Sequence, residues 1–168
     1  YWFRIADYKG QNIGELVRAF IEQQREPYPL LAYGYVDSLI LIVDLIPPKP
    51  DKDAPELLPT NNFDSERVNY QLEQWNDTAV NAIFGLLTSE LKYVCLFINK
   101  IDLMSDRSPS ADEKYKNAFK DLAERIRKRC GKARFEVVLG SATKGTHVPL
   151  IESRLMKHSA PTEGEANE

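Results

Sequence analysis

The sequence predicts an α/β fold of three layers, α/β/α, built on a mostly parallel sheet. Two observations carry this. The runs SLILIVDLI (38–46) and KYVCLFI (92–98) are nearly continuous in apolar residues. A strand covered by helices on both faces reads this way, without in–out alternation. Such runs also alternate along the chain with amphipathic stretches of helical period, the order that gives parallel strands joined by helical crossovers.

Each element follows in turn. YWFRIA (1–6) reads as a strand, and 12–26 as a helix in which Ile13, Leu16, Val17, Phe20 and Ile21 recur at helical spacing. After the strand 38–46 comes PPKPDKDAPELLPTNN, with five prolines in 47–62, each lacking a backbone N–H. This predicts a loop or insertion over 47–64. Residues 65–90 predict one helix with an apolar stripe of Val68, Leu72, Trp75, Ala79, Ile83 and Leu86. The strand 92–98 precedes a helix over 110–130, with Ser110 as N-cap and Tyr115, Phe119, Leu122 and Ile126 facing inward. ARFEVVLG (133–140) is a strand, and 147–158 a short last helix. SAPTEGEANE (159–168) reads as a disordered tail. The resulting order is β-α-β-α-β-α-β-α, with no internal repeat, in a single domain over 1–158.

Composition narrows the function classes. The 168 residues are 43% hydrophobic and 28% charged, ordinary for a globular protein, and the net charge is −3. No long basic stripe points to nucleic acid. Arg125, Arg127, Lys128, Arg129 and Lys132 cluster at a helix end, where cations complement the helix dipole. No apolar run approaches the ~20 residues of a membrane span. Cys95 and Cys130 read as reduced core thiols of a cytoplasmic protein rather than as a disulfide or metal site. His147 and His158 show no metal-ligand spacing. The chain opens at Tyr1 directly in a strand-like run, which reads as a fragment of something longer.

In a parallel sheet covered on both faces, a ligand site lies beyond the carboxyl ends of the strands. Three polar segments fall there: Asp7-Tyr8-Lys9-Gly10-Gln11, Asn99-Lys100-Ile101-Asp102, and Gly140-Ser141-Ala142-Thr143-Lys144-Gly145. In this order they resemble the later motifs of the P-loop GTPases, most closely the translation-factor and Ras-like branch, over roughly the C-terminal two-thirds of such a domain. The resemblance implies a G-domain-like fold lacking its first strand, its P-loop and switch I.

It also implies a site for GTP or GDP with Mg²⁺. Asp102 would accept the two donors on one edge of guanine, an arrangement adenine does not offer. Asn99 would bond the base and tie neighbouring loops together. Lys100 would lay its stem along the base. Ser141 and Ala142 match the last guanine motif, with the Ala142 N–H directed at O6; the lysine usual there is Thr143, with Lys144 one step later. Asp7 would hold Mg²⁺ through water, Gly10 would meet the γ-phosphate, and Gln11 stands where the family orients the attacking water. Lys9 is unusual in this motif.

The motif G-x-x-x-x-G-K-[ST], expected before all of these, is not in the chain; GSATKGTH offers Gly140 and Gly145 but Thr146 in place of the lysine. The expected partners are a guanine nucleotide and a protein effector or regulator. Two other readings stand beside this one. In the first, the fold is a pseudo-GTPase that presents its proline-rich insertion and the exposed face of helix 65–90 to a protein partner. In the second, it is an unrelated doubly wound domain with Asp7 and Asp44 as a strand-end carboxylate pair for Mg²⁺.

Overall fold

A computed structural model describes residues 13–22, 36–51, 53, 55–87 and 91–159. Among these residues three strands form one parallel sheet in the order β1 (Ser38–Asp44), β2 (Tyr93–Asn99), β3 (Arg134–Leu139). The register pairs Asp44 with Asn99, and Ile98 with Leu139, so the three strands end level with one another. The α/β fold with parallel strands is as the apolar runs predict. The predicted strand 1–6 lies outside the described residues.

Among the described residues the helices are α1 (Ile13–Ile21), α2 (Ser65–Gln74), α3 (Asp77–Leu86), α4 (Pro109–Ala118), α5 (Lys120–Arg129) and α6 (Val148–Ser159). The stretch 65–90 is two helices rather than one. Trp75 leaves helical geometry, and Asn76, extended at φ −68° and ψ 177°, caps α3 by accepting from the Ala79 N–H at 3.1 Å. The apolar stripe crosses this break because Val68, Trp75, Ala79 and Ile83 all reach the same core. Helix α2 carries no cation in its own last turn. Arg125 of α5 supplies one, donating to the Trp75 carbonyl at 2.6 Å and the Leu72 carbonyl at 3.4 Å. One member of the basic cluster is therefore a helix cap, and Arg127, Lys128 and Arg129 occupy the last turn of α5.

The predicted helix 110–130 is likewise two helices, parted at Phe119. Its N-cap is Ser108, not Ser110. Ser108 Oγ accepts from the Ala111 N–H at 3.2 Å, and Pro109 follows at the first helical position, where its missing N–H costs nothing. Tyr115, Phe119, Leu122 and Ile126 are buried as expected.

The sheet has two unequal faces. On the first, Leu39, Leu41 and Val43 of β1 and Val94, Leu96 and Ile98 of β2 join α2 to α5 in the main core. Full burial of each such aliphatic side chain contributes about 1.5–3 kcal/mol. On the second face a smaller cluster of Tyr93, Cys95, Phe97 and Val138 is covered by Ile151 and Leu155 of α6. The apolar surface continues past α6, because Ile40 and Ile42, in register with Cys95 and Phe97, remain 37% and 55% exposed. Both cysteines are free and buried, and burial pushes the Cys95 thiol up to about 12 and the Cys130 thiol to about 11.

The C-terminal turn of α6 is fastened by polar contacts. The Tyr93 hydroxyl donates to Glu136 Oε1 at 2.6 Å, and Arg134 and Arg154 lie 3.7 and 3.8 Å from the same carboxylate. The His158 ring stacks on Tyr93, with centroids 5.7 Å apart and planes 4° from parallel. His158 Nε2 is buried without a hydrogen bond among the described residues.

Two outcomes follow. Gly140, just after β3, has no room for a side chain: a Cβ there would overlap the Phe97 ring and the Thr146 carbonyl. Gly140→Ala should cost about 1–3 kcal/mol in urea denaturation, the usual penalty of overpacking. Burial first, then Arg134, Lys157 and Arg154, hold the His158 imidazole below its ordinary 6.5, with Glu136 opposing. The folded chain therefore favours neutral His158; its contribution is full above 6.5 and is lost as pH falls through the lower folded value. His158→Phe keeps a stacking ring and should flatten that acid limb in denaturation measured from pH 7 downward.

Candidate functional site

The strand ends meet at the carboxylate of Asp44. Asp44 Oδ1 accepts from Asn99 Nδ2 at 3.0 Å. Asp44 Oδ2 lies 3.3 Å from an Arg67 terminal nitrogen and 3.4 Å from Lys100 Nζ. One anion is thus shared by two cations and an amide. Its backbone is held as firmly. Gln71, buried on α2, accepts from the Asp44 N–H at 2.8 Å and donates to the Asp44 carbonyl at 2.7 Å. The primary amide reproduces the pair of bonds a neighbouring strand would make, and so ties α2 to the end of β1. The N-cap Asp64, accepting from the Arg67 N–H at 2.7 Å, sets where α2 begins and hence where Arg67 and Gln71 point.

Asn99 is the second joint. Its Nδ2 faces the Asp44 carboxylate, which only accepts, so Oδ1 is left for a donor. That donor is the Ala142 N–H, at 2.9 Å. Asn99 therefore bridges the ends of β1 and β3 across its own strand. The loops are braided further by backbone bonds from Gly140 N–H to the Ile98 carbonyl (2.9 Å) and from Ile101 N–H to the Gly140 carbonyl (3.1 Å). Ser141 is buried; its Oγ accepts from the Lys144 N–H at 3.1 Å and closes the turn 141–146.

Lys100 adopts left-handed backbone geometry, φ 68° and ψ 27°, which is costly for a residue bearing a Cβ. Its side chain shows what holds it there: Nζ donates to the Ile46 carbonyl at 2.8 Å beside the Asp44 carboxylate. Burial lowers the Lys100 ammonium from its ordinary value, and Asp44 works against that shift. The reversed backbone turns the chain into a single 3₁₀ turn, Ile101–Leu103. Ile101 is buried beneath that turn and anchors it, while Asp102 stands half-buried on it. Among the described residues no hydrogen bond or ion pair engages the Asp102 carboxylate; Lys100 is near enough to feel its charge.

The structure brings Asn99, Lys100, Asp102, Ser141 and Ala142 to one rim. Asp7, Gly10 and Gln11 lie outside the described residues. The Ala142 N–H is taken up by Asn99 rather than left open. Asp44 is compensated by Arg67 and Lys100, which does not suit it to a Mg²⁺ ligand pair with Asp7. Among the described residues no group of three or more His, Cys, Asp or Glu side chains is placed to hold a metal ion. The sequence reading missed Arg67 and Gln71. The available signal was a glutamine at helical spacing from Val68 and Trp75, on the inward side of the helix, where it demands a polar partner.

No protein-family model, no curated protein and no solved structure matches the chain. No helix among the described residues is long and apolar enough to cross a membrane.

The Asp44 junction has a measurable weight. Asp44→Asn removes the counter-charge of two half-buried cations and leaves a single oxygen for which Asn99, Arg67 and Lys100 compete. Partial exposure moderates the cost of breaking such a pair, so the loss in urea denaturation should be about 1–3 kcal/mol. The same substitution should speed amide exchange at Ala142, whose acceptor Asn99 is held less firmly.

Proposed function

We propose that this chain is a guanine-nucleotide-binding domain of G-domain type, with Asp102 reading the base. One observation carries the reading. At the level ends of three parallel strands, Asn99 cross-links the neighbouring loops while the adjacent Asp102 carboxylate is left unengaged among the described residues. A carboxylate held on a rigid turn accepts the N1–H and the exocyclic amine of guanine together. The same carboxylate would meet an acceptor on adenine and repel it. Asn99 has one Nδ2 hydrogen left for the base edge, and the Lys100 stem, drawn across the rim by Ile46 and Asp44, offers apolar surface beside it. An O6 contact requires the Ala142 N–H to turn from Asn99 to the base.

In this reading GTP and GDP are the ligands, and a complete domain hydrolyses GTP as a switch. Asp7 would then hold Mg²⁺ through water, Gly10 would meet the γ-phosphate, and Gln11 would orient the attacking water; these roles come from the resemblance alone.

A second reading is a protein-interaction module on the same fold. It is favoured by Leu58, 79% exposed in the proline-rich insertion.

The two separate on nucleotide titration. Fluorescent GDP with Mg²⁺ should bind weakly, since the phosphate contacts of the G-x-x-x-x-G-K-[ST] motif are lacking, and be displaced by GTP and not by ATP. Asp102→Asn should turn the preference from guanine toward xanthine nucleotides, because the amide presents a donor where xanthine carries an oxygen. An unchanged base preference overturns the assignment of Asp102, and absence of any GDP binding favours the interaction module.

A further inference from the structure

The stretch 47–64 reads from its prolines as a loop or insertion. Lengthening a loop costs little closure entropy, about 0.6 kcal/mol per doubling. Ordering its backbone is another matter, at roughly 1–2 kcal/mol per residue. Leu57 and Phe63 pack against the main core, and a set of hydrogen bonds ties the loop to the turn that bears Asp102.

The base of the insertion is closed by the Asp64 N–H, which donates to the Leu45 carbonyl at 2.9 Å. At its entrance the Ile46 carbonyl receives Lys100 Nζ. On its return Thr60 forms a parallel bridge with Met104: the Thr60 N–H donates to the Leu103 carbonyl and the Thr60 carbonyl accepts from the Ser105 N–H, both at 2.8 Å. Thr60 Oγ1 then donates to the Asn62 carbonyl at 2.7 Å and turns the chain. Asn62 Oδ1 takes Lys114 Nζ at 2.8 Å, which fastens the return to α4. Residues 100–105 are therefore gripped on both flanks by one loop, while Asp102 between them makes none of the bonds.

We propose that the insertion 47–64 is a positioning element for the base-reading turn, with the Thr60 backbone as its main contact. The inference rests on Asp102 as the reader of guanine. Linkage makes the effect reciprocal: whatever orders the insertion sharpens base discrimination, and a bound guanine orders the insertion.

The test compares Thr60→Pro, which removes the N–H donated to Leu103, with Thr60→Ser, which keeps the backbone bonds and the hydroxyl. Amide exchange at Leu103, Met104 and Ser105 should accelerate in Thr60→Pro and stay unchanged in Thr60→Ser. The ratio of GDP to IDP affinity should fall by about fivefold or more in Thr60→Pro, since IDP lacks the exocyclic amine that Asp102 would accept. Equal weakening for both nucleotides, with the ratio kept, means a merely structural loop and overturns the proposal; so does unaltered exchange. Failure of the unsubstituted chain to bind GDP overturns the base reading itself, and the exchange data then report separately on whether the loop holds the turn. If Thr60→Pro does not fold, Asn62→Ala at an exposed position is read by the same two measurements, with a smaller effect in the same direction.

Discussion

A single carboxylate, that of Asp44, joins the pieces of this fold that come from distant parts of the chain. Its backbone belongs to β1, its two oxygens reach Asn99 of β2 and the cations of α2 and the turn after β2, and its peptide groups are clasped by Gln71. An anion at this depth is tolerable only when paired and hydrogen-bonded. Once paired, it dictates where its partners stand. Lys100 can hold its left-handed backbone because its ammonium has a fixed destination, and Asn99 can present Oδ1 to Ala142 because its amide nitrogen is already committed. The geometry of the rim is thus a consequence of charge compensation below it.

Much of this was legible in the sequence, for a definite reason. A strand buried on both faces has to be apolar along its whole length, as 93–98 is; 38–44 is equally apolar although Ile40 and Ile42 stay exposed, and in both runs the polar residues at the end stand out. Asn99, Lys100 and Asp102 were found that way. The helix breaks were not legible, because an apolar stripe reports only which side faces the core. Trp75 and Phe119 each keep that side while leaving the helix, so the period continues across both interruptions. The misplaced cap had a signal that was passed over: Pro109 fits a first helical position and points to Ser108 immediately before it. Arg67 and Gln71 could not be assigned from spacing, since their partner lies in a strand 23 to 27 residues away.

The proline-rich stretch shows why composition alone misleads about order. Prolines exclude regular elements, yet they also reduce the conformational freedom of the unfolded chain. A loop built on them is easier to fix with a handful of bonds. Here those bonds are backbone to backbone at Thr60, which no side-chain pattern could have announced.

The two cysteines carry a last consequence. Cys95 sits in the small cluster beneath α6, whereas Cys130 belongs to the main core on the opposite face. Both thiols are buried and held in the unreactive protonated form. A thiol reagent can therefore modify each only when its own side of the sheet opens. The chain contains, in effect, two built-in chemical clocks, one per face, able to tell whether α6 peels away before the rest of the molecule gives way.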